Sequence, residues 1–225
     1  MSHHAIKTFV DKEMSLIRDT STANVRQLYL RLLRDTVAGT ALGEREQSLI
    51  EEDGGWLRRE RLDDSLREVG GDWPWLGTAN VGLRNLDSLI QAVLSTHLAA
   101  VPGAVVDVGV WRGGTSALMF GALQAYNVSG KAVYILDEFR PRAAASLSHQ
   151  LLNLLMPRKG QSLATLASES LEAVKANFYW QNLLDESRLR FLPGLYQDTL
   201  PKLSRNPLPV PPKGITATQL FPQKP

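Results

Sequence analysis

The sequence predicts half of an open, parallel α/β sheet, three strands wide, behind an N-terminal helical cap. Three observations carry that expectation. "AVVDVGV" is a short, β-branched, almost wholly apolar run that leads through a glycine turn into a helix-forming stretch. Two more apolar runs, "KAVYILD" and "RLRFLPG", recur after helical segments. The first two do not alternate polar with apolar residues, as a strand with one wet face would, so they read as buried on both faces, and the third closes the series. Such strands separated by helices imply right-handed crossovers and a doubly wound arrangement.

Taken in order, residues 25 to 42 ("VRQLYLRLLRDTVAGTAL") place Leu28, Leu32, Leu33 and Val37 at helical spacing and predict an amphipathic helix. Residues 43 to 71 are charged and polar, and a helix within the cap is expected there. Trp73, Pro74 and Trp75 predict a loop, because proline disfavours helix on its N-terminal side. "LRNLDSLIQAVLSTHLAAV" sets Leu86, Leu89, Ile90, Val93, Leu94 and Leu98 on one helical face, and Pro102 with Gly103 ends it. The first strand follows, then a helix from "GGTSALMFGALQAY", the second strand, a helix from "SESLEAVKANFYWQNLL", and the third strand. After Arg205 the composition changes: residues 206–225 hold six of the chain's 12 prolines and no acidic residue, and predict a disordered tail. The expected organisation is a cap over 1–71, a partial nucleotide-binding type of domain over 72–205, and the tail.

Composition narrows the function classes. With 225 residues and 44% hydrophobic content, the chain can build a proper core. Lys+Arg 25 against Asp+Glu 23 gives a net charge of +2, too small to imply nucleic acid or an anionic membrane. The absence of cysteine excludes disulfides and thiolate metal sites and fits a reducing compartment, so a cytoplasmic location is expected. No apolar h-region opens the sequence, and no run approaches the roughly 20 apolar residues of a transmembrane helix.

The glycine turn carries the chemistry. In open α/β sheets a ligand binds beyond the carboxyl ends of the strands. A dinucleotide fingerprint needs a second glycine two residues after the first, but Gly109 is followed by Val110 and Trp111, which disfavours NAD. Asp107-x-Gly109-x-x-x-Gly113 instead suits a sulfonium nucleoside: an acid near its ammonium and a bare backbone beneath it. Asp137, ending the second strand, stands where a carboxylate can accept from ribose hydroxyls.

The words "DWPWLGTANVGLRNLDSL", "VPGAVVDVGVWRGGTSALMFGALQAY", "VYILDEF" and "RLRFLPGLYQDTLP" resemble, in order and spacing, the macrocin O-methyltransferase family, over about residues 25 to 203. The resemblance implies a Rossmann-like class I methyltransferase fold, S-adenosylmethionine as cofactor and a sugar hydroxyl on a small molecule as acceptor. It places Thr78 near the methionine end of the cofactor. Asp107, Gly109 and Gly113 would form the main cradle, Asp137 would hold the ribose, and Gly194, Leu195 and Tyr196 would lie towards the adenine.

Two departures limit it. Glu138, Phe139, Arg140 and Pro141 stand where the family has a serine followed by "EGLP". After "DTLP" the family continues into a fourth strand bearing the aspartates that bind magnesium and, beyond them, a histidine; here the proline-rich stretch follows. Asp185, Glu186 and Asp198 do not converge as magnesium requires, so no metal ligand or catalytic base is assigned and the isolated chain is expected to be inactive. A three-stranded sheet would also leave Val105 to Val110 as an apolar edge, predicting self-association. The rival reading is a non-catalytic interaction module that uses this edge.

Plainer roles stand beside these. Asp107 could serve only a helix N-terminus, Asp137 only a strand end, and Trp73, Trp75 and Trp111 could be packing rather than a substrate wall. Thr78 could bond local backbone, His97 suits a helix C-terminus, and His149 and the Arg-Pro-Arg word at 140–142 read as surface.

Overall fold

A computed structural model of the chain describes residues 22–52, 55–139, 169–205 and 216–217. The cap opens with α1 (Thr22–Ala38) and a 3-10 turn (Thr40–Arg45). Strands β1 (Ser48–Glu52) and β2 (Gly55–Arg59) follow, then α2 (Asp64–Val69) and the two-residue strand β3 (Trp73–Pro74). The α/β body comprises α3 (Leu83–Leu98), β4 (Val105–Val108), α4 (Gly114–Ala125), β5 (Val133–Asp137), α5 (Leu171–Trp180), β6 (Leu189–Pro193) and α6 (Tyr196–Arg205); β7 (Thr216–Ala217) is last.

The body is the predicted parallel sheet. β4 pairs with β5 from Val105↔Val133 to Val108↔Leu136, and β5 with β6 from Val133↔Leu189 to Asp137↔Pro193, all parallel. Side chains divide by parity, as strand geometry demands. Val105, Val133, Ile135 and Leu189 enter the larger core with Leu33 and Val37 of α1, Leu86, Leu89 and Val93 of α3, Leu118 and Phe120 of α4, and Val174 and Phe178 of α5. Val106, Tyr134 and Leu136 face the other way and meet Leu203 of α6. α4 is buried from Ser116 to Leu123, which explains its uniformly apolar sequence. Gly121 lets α1 press onto it: a β-carbon there would lie 2.3 Å from Leu33 Cδ2.

Three expectations are corrected. The cap is not all helical, because β1 and β2 form an antiparallel hairpin and β3 joins the other side of β1, giving the order β2-β1-β3. The sequence between the hairpin strands, Asp53-Gly54, is the pair that a two-residue hairpin favours. Trp73 and Pro74, expected in a loop, pair with Leu49 and Ser48; proline is tolerated there because β3 is an edge strand. The sheet is also wider than three strands. Thr216 and Ala217 pair in parallel with Val105 and Val106, so β7 covers part of the edge that was expected to be open. The rest of the predicted tail, residues 206–215 and 218–225, lies outside the described residues, as do residues 1–21 of the predicted cap.

Candidate functional site

The site begins where β4 stops. Gly109 (φ 74°), Trp111 (φ 51°) and Gly113 (φ 82°) are all left-handed, so the chain reverses tightly before α4. At Gly113 no other residue fits, since a β-carbon would also lie 2.8 Å from Val174 Cγ1 and 3.0 Å from Phe178 Cε2. Trp111 adopts this conformation at a cost of about 1 kcal/mol or more. Its surroundings over-determine it: the indole is buried, meets Trp73 edge-on at 5.2 Å, and has the Arg112 guanidinium 4.4 Å from its centre.

Asp137 binds this turn directly. Its Oδ2 accepts from the backbone N–H of Val110 (2.9 Å) and of Trp111 (3.3 Å), and its Oδ1 accepts weakly from Phe139 N–H (3.4 Å). The Gly109 N–H donates to the Leu136 carbonyl at 2.9 Å, and the Gly194 N–H to the Asp137 carbonyl at 2.9 Å. The ends of β4, β5 and β6 are thereby tied together.

Asp107, 8% exposed, turns its Oδ2 to the first turn of α4, where Thr115 Oγ1 (2.7 Å) and Ser116 Oγ (2.6 Å) donate to it. The carboxylate therefore does serve the helix, as its plainer role required. Burial pushes the pKa of Asp107 up, against the two hydroxyls that lower it, and the nearby charge of Asp137 raises it further. Burial likewise raises Asp137, opposed by the N–H groups of Phe139, Trp111 and Val110. Two desolvated carboxylates that sense one another flank the turn, and every donor to them among the described residues is neutral. Such a place favours a cation and disfavours a pyrophosphate, which would also find the Val110 and Trp111 N–H groups engaged.

Thr78 lies on the cap side. Its N–H donates to the Val37 carbonyl (2.7 Å) and its own carbonyl accepts from Gly114 N–H (3.0 Å), while its hydroxyl is buried without a partner among the described residues. Five of the seven predicted residues, Thr78, Asp107, Gly109, Gly113 and Asp137, thus lie in the turn or bond to it or to the start of α4, and Gly194 reaches it only through the Asp137 carbonyl. Leu195 is the exception: its carbonyl accepts from Asp198 and Thr199 N–H at the start of α6, and its side chain, like that of Tyr196, is exposed.

Glu46, Arg112 and Asn177 were not among the residues expected at the site. Glu46 is fully buried, Arg112 Nη1 donates to the carbonyls of Trp75 (2.6 Å) and Gly77 (3.0 Å), and Asn177 Nδ2 donates to the Arg112 carbonyl (3.0 Å). Asp185 and Glu186 have local uses, the first accepting from Ser187 N–H and the second paired with Lys175 at 2.7 Å. No group of three or more His, Cys, Asp or Glu that could hold a metal occurs among the described residues. No helix among them is long and apolar enough to cross a membrane. His97 is exposed in the last turn of α3; His149 and residues 140–142 lie outside the described residues.

The macrocin-O-methyltransferase (TylF) family model matches residues 26–211. The chain is 33% identical over 180 residues to 8-demethyl-8-(2,3-dimethoxy-alpha-L-rhamnosyl)-tetracenomycin-C 4'-O-methyltransferase of Streptomyces olivaceus, covering 80% of this chain and 66% of that protein. It is 31% identical over 175 residues to mycinamicin III 3''-O-methyltransferase of Micromonospora griseorubida, covering 78% and 66%. The solved structure of the O-methyltransferase NovP superposes with a TM-score of 0.59 at 31% identity, covering 82% of this chain and 69% of that one. The chain thus spans just under two thirds of the length of these curated relatives.

Proposed function

Because the chain belongs to the macrocin O-methyltransferase family, we propose that its glycine turn binds S-adenosylmethionine, in a protein that methylates a hydroxyl on the sugar of a small molecule. The observation that supports this best is the pair of desolvated carboxylates, Asp107 and Asp137, on either side of a bare-backbone turn. When bound, the cofactor supplies a methyl group on a sulfonium, ready for displacement by an oxygen nucleophile. The residues of this chain bind and orient. Gly109 lets the backbone approach the ligand, Gly113 lets the turn close against Val174 and Phe178 beneath it, Asp107 sets a negative field for the ammonium, Asp137 offers its remaining acceptor capacity to ribose hydroxyls, and Gly194 and Leu195 border the adenine end. Holding the sulfonium in one place would contribute to rate chiefly through orientation. The sugar acceptor is carried over from the tetracenomycin relative, whose name gives a rhamnosyl-bearing substrate.

Calorimetric titration with S-adenosylhomocysteine tests the proposal. The expected result is saturable binding that falls at least about tenfold in Asp137→Asn, the loss of one charge-assisted contact. Absence of heat with the wild-type chain, or equal binding of NAD, would overturn it.

A further inference from the structure

We propose that Glu46, on the cap, is a positioning residue for the amino-acid end of the cofactor, acting through Thr78; this rests on the S-adenosylmethionine assignment above. Glu46 is 0% exposed, at the junction of the 3-10 turn and β1. Its Oε1 accepts from the N–H of Leu76 (2.8 Å) and of Gln47 (3.1 Å), and its Oε2 from Gly77 N–H (2.9 Å). Arg112 holds the same segment by its carbonyls, those of Trp75 and Gly77. An anion on the N–H groups and a cation on the carbonyls fix the peptide planes of residues 75–77, and with them the residue that follows.

That residue is Thr78. Its main chain bridges Val37 of α1 and Gly114 at the first turn of α4. Its hydroxyl lies so close to Gly114 that a β-carbon there would be 2.7 Å from Oγ1. The same hydroxyl is buried without a partner among the described residues. A buried polar group in that condition calls for an explanation, and a ligand atom supplies one. Asp137 grips the turn at Val110 and Trp111, and Thr78 grips it at Gly114. A nucleoside whose ribose sits at Asp137 and whose chain follows the turn therefore ends at Thr78. A buried carboxylate is a costly way merely to pack a loop, because it must lose its hydration. Its use here is to hold four consecutive residues in one register beside the turn.

The test compares two ligands. S-adenosylhomocysteine carries the amino-acid end; 5'-methylthioadenosine carries the same nucleoside and sulfur without it. In Glu46→Gln one backbone N–H would face an amide N–H₂ instead of a carboxylate oxygen. Affinity for S-adenosylhomocysteine is expected to fall about tenfold, and that for 5'-methylthioadenosine to stay within about twofold. Thr78→Val, which leaves Glu46 and its bonds intact, is expected to show the same split, and the double variant to be no weaker than either single one, as residues acting through one contact should be. Equal losses for both ligands in Glu46→Gln, or an effect on neither, would overturn the proposal even where the wild type binds; the same holds for Thr78→Val if Glu46→Gln does not fold. A wild-type chain that binds neither ligand would instead remove the cofactor assignment, and this inference with it.

Discussion

The two ends of the parallel sheet bury charge of opposite sign and treat it differently. Where the strands begin, Lys131 Nζ donates to the Val101 carbonyl (2.5 Å), and Arg188 Nη2 donates to the carbonyls of Val128 (2.5 Å) and Lys131 (3.0 Å). These cations end on backbone acceptors that the connecting segments would otherwise leave bare, and the Arg188 guanidinium lies 4.9 Å from the centre of the Phe120 ring. Where the strands finish, Asp107 and Asp137 accept only from neutral hydroxyl and amide donors among the described residues, and burial raises the pKa of both. Charge at the first end completes the fold. Charge at the second also holds the fold, but its hydrogen-bond donors are neutral, and in the proposal above it meets the ligand.

Asp107→Ala should break that contrast most severely. It removes one of the two charges and leaves the hydroxyls of Thr115 and Ser116 without their acceptor. Binding of S-adenosylhomocysteine is expected to fall beyond calorimetric detection, and unfolding free energy in urea to drop by about 3 kcal/mol, the scale of two orphaned buried groups. Wild-type affinity in this variant would make the acidic end as purely structural as the basic one.

Arg188→Met is the complementary change. It removes a charged donor from two carbonyls while keeping much of the contact with Phe120. A loss of about 2 kcal/mol in stability is expected, with ligand affinity unchanged, because the change lies at the opposite end of every strand. A tenfold weaker affinity would show that the two ends are coupled.

The same contrast governs what could be read from the sequence. β4 and β5 were legible because strands buried on both faces have nearly continuous apolar sequences, β6 because its run follows a helical stretch and closes the series, and α1, α3 and α5 because they follow helical spacing. Asp107, Gly109, Gly113 and Asp137 were legible because acids and glycines at strand ends interrupt those runs. The hairpin was not: its strands, "SLIEE" and "GWLRR", carry too few apolar residues to set a period, and only Asp53-Gly54 marks the turn. α6 was obscured by Pro201, which sits inside it. Glu46 and Arg112 were invisible for another reason. The contacts that tie them to residues 75–77 are with backbone groups about 30 to 37 residues away, and a backbone N–H or carbonyl leaves no trace in residue type.

Protonation offers a third, smaller perturbation. A carboxyl whose folded pKa is raised above its ordinary value near 3.8 binds more protons folded than unfolded between those two values. The contribution of Asp107 and Asp137 to stability is therefore fully present below about 3.8 and lost as pH rises through their folded values. A ligand ammonium interacts best with the ionised forms. Affinity for S-adenosylhomocysteine is expected to rise with pH over the same window, by up to about tenfold per pH unit for one displaced proton. Titrations in buffers of different ionisation heat should register proton release; proton uptake would reverse the sign and contradict a site that recognises a cation.

Thr115→Val gives the smallest expected effect and the sharpest distinction. The two side chains have nearly the same shape, so the change deletes one donor to Asp107 Oδ2, at 2.7 Å, and leaves the Ser116 bond in place. Stability should fall by about 1 kcal/mol. The lost hydroxyl had been lowering the pKa of Asp107, so its removal leaves the carboxylate easier to protonate and, once ionised, less neutralised by its own helix. Above the folded pKa, affinity for S-adenosylhomocysteine should then be unchanged or slightly higher. A large loss of affinity here, matching that of Asp107→Ala, would assign the ligand contact to the hydroxyl and return the carboxylate to the structural role that Lys131 and Arg188 play at the other end.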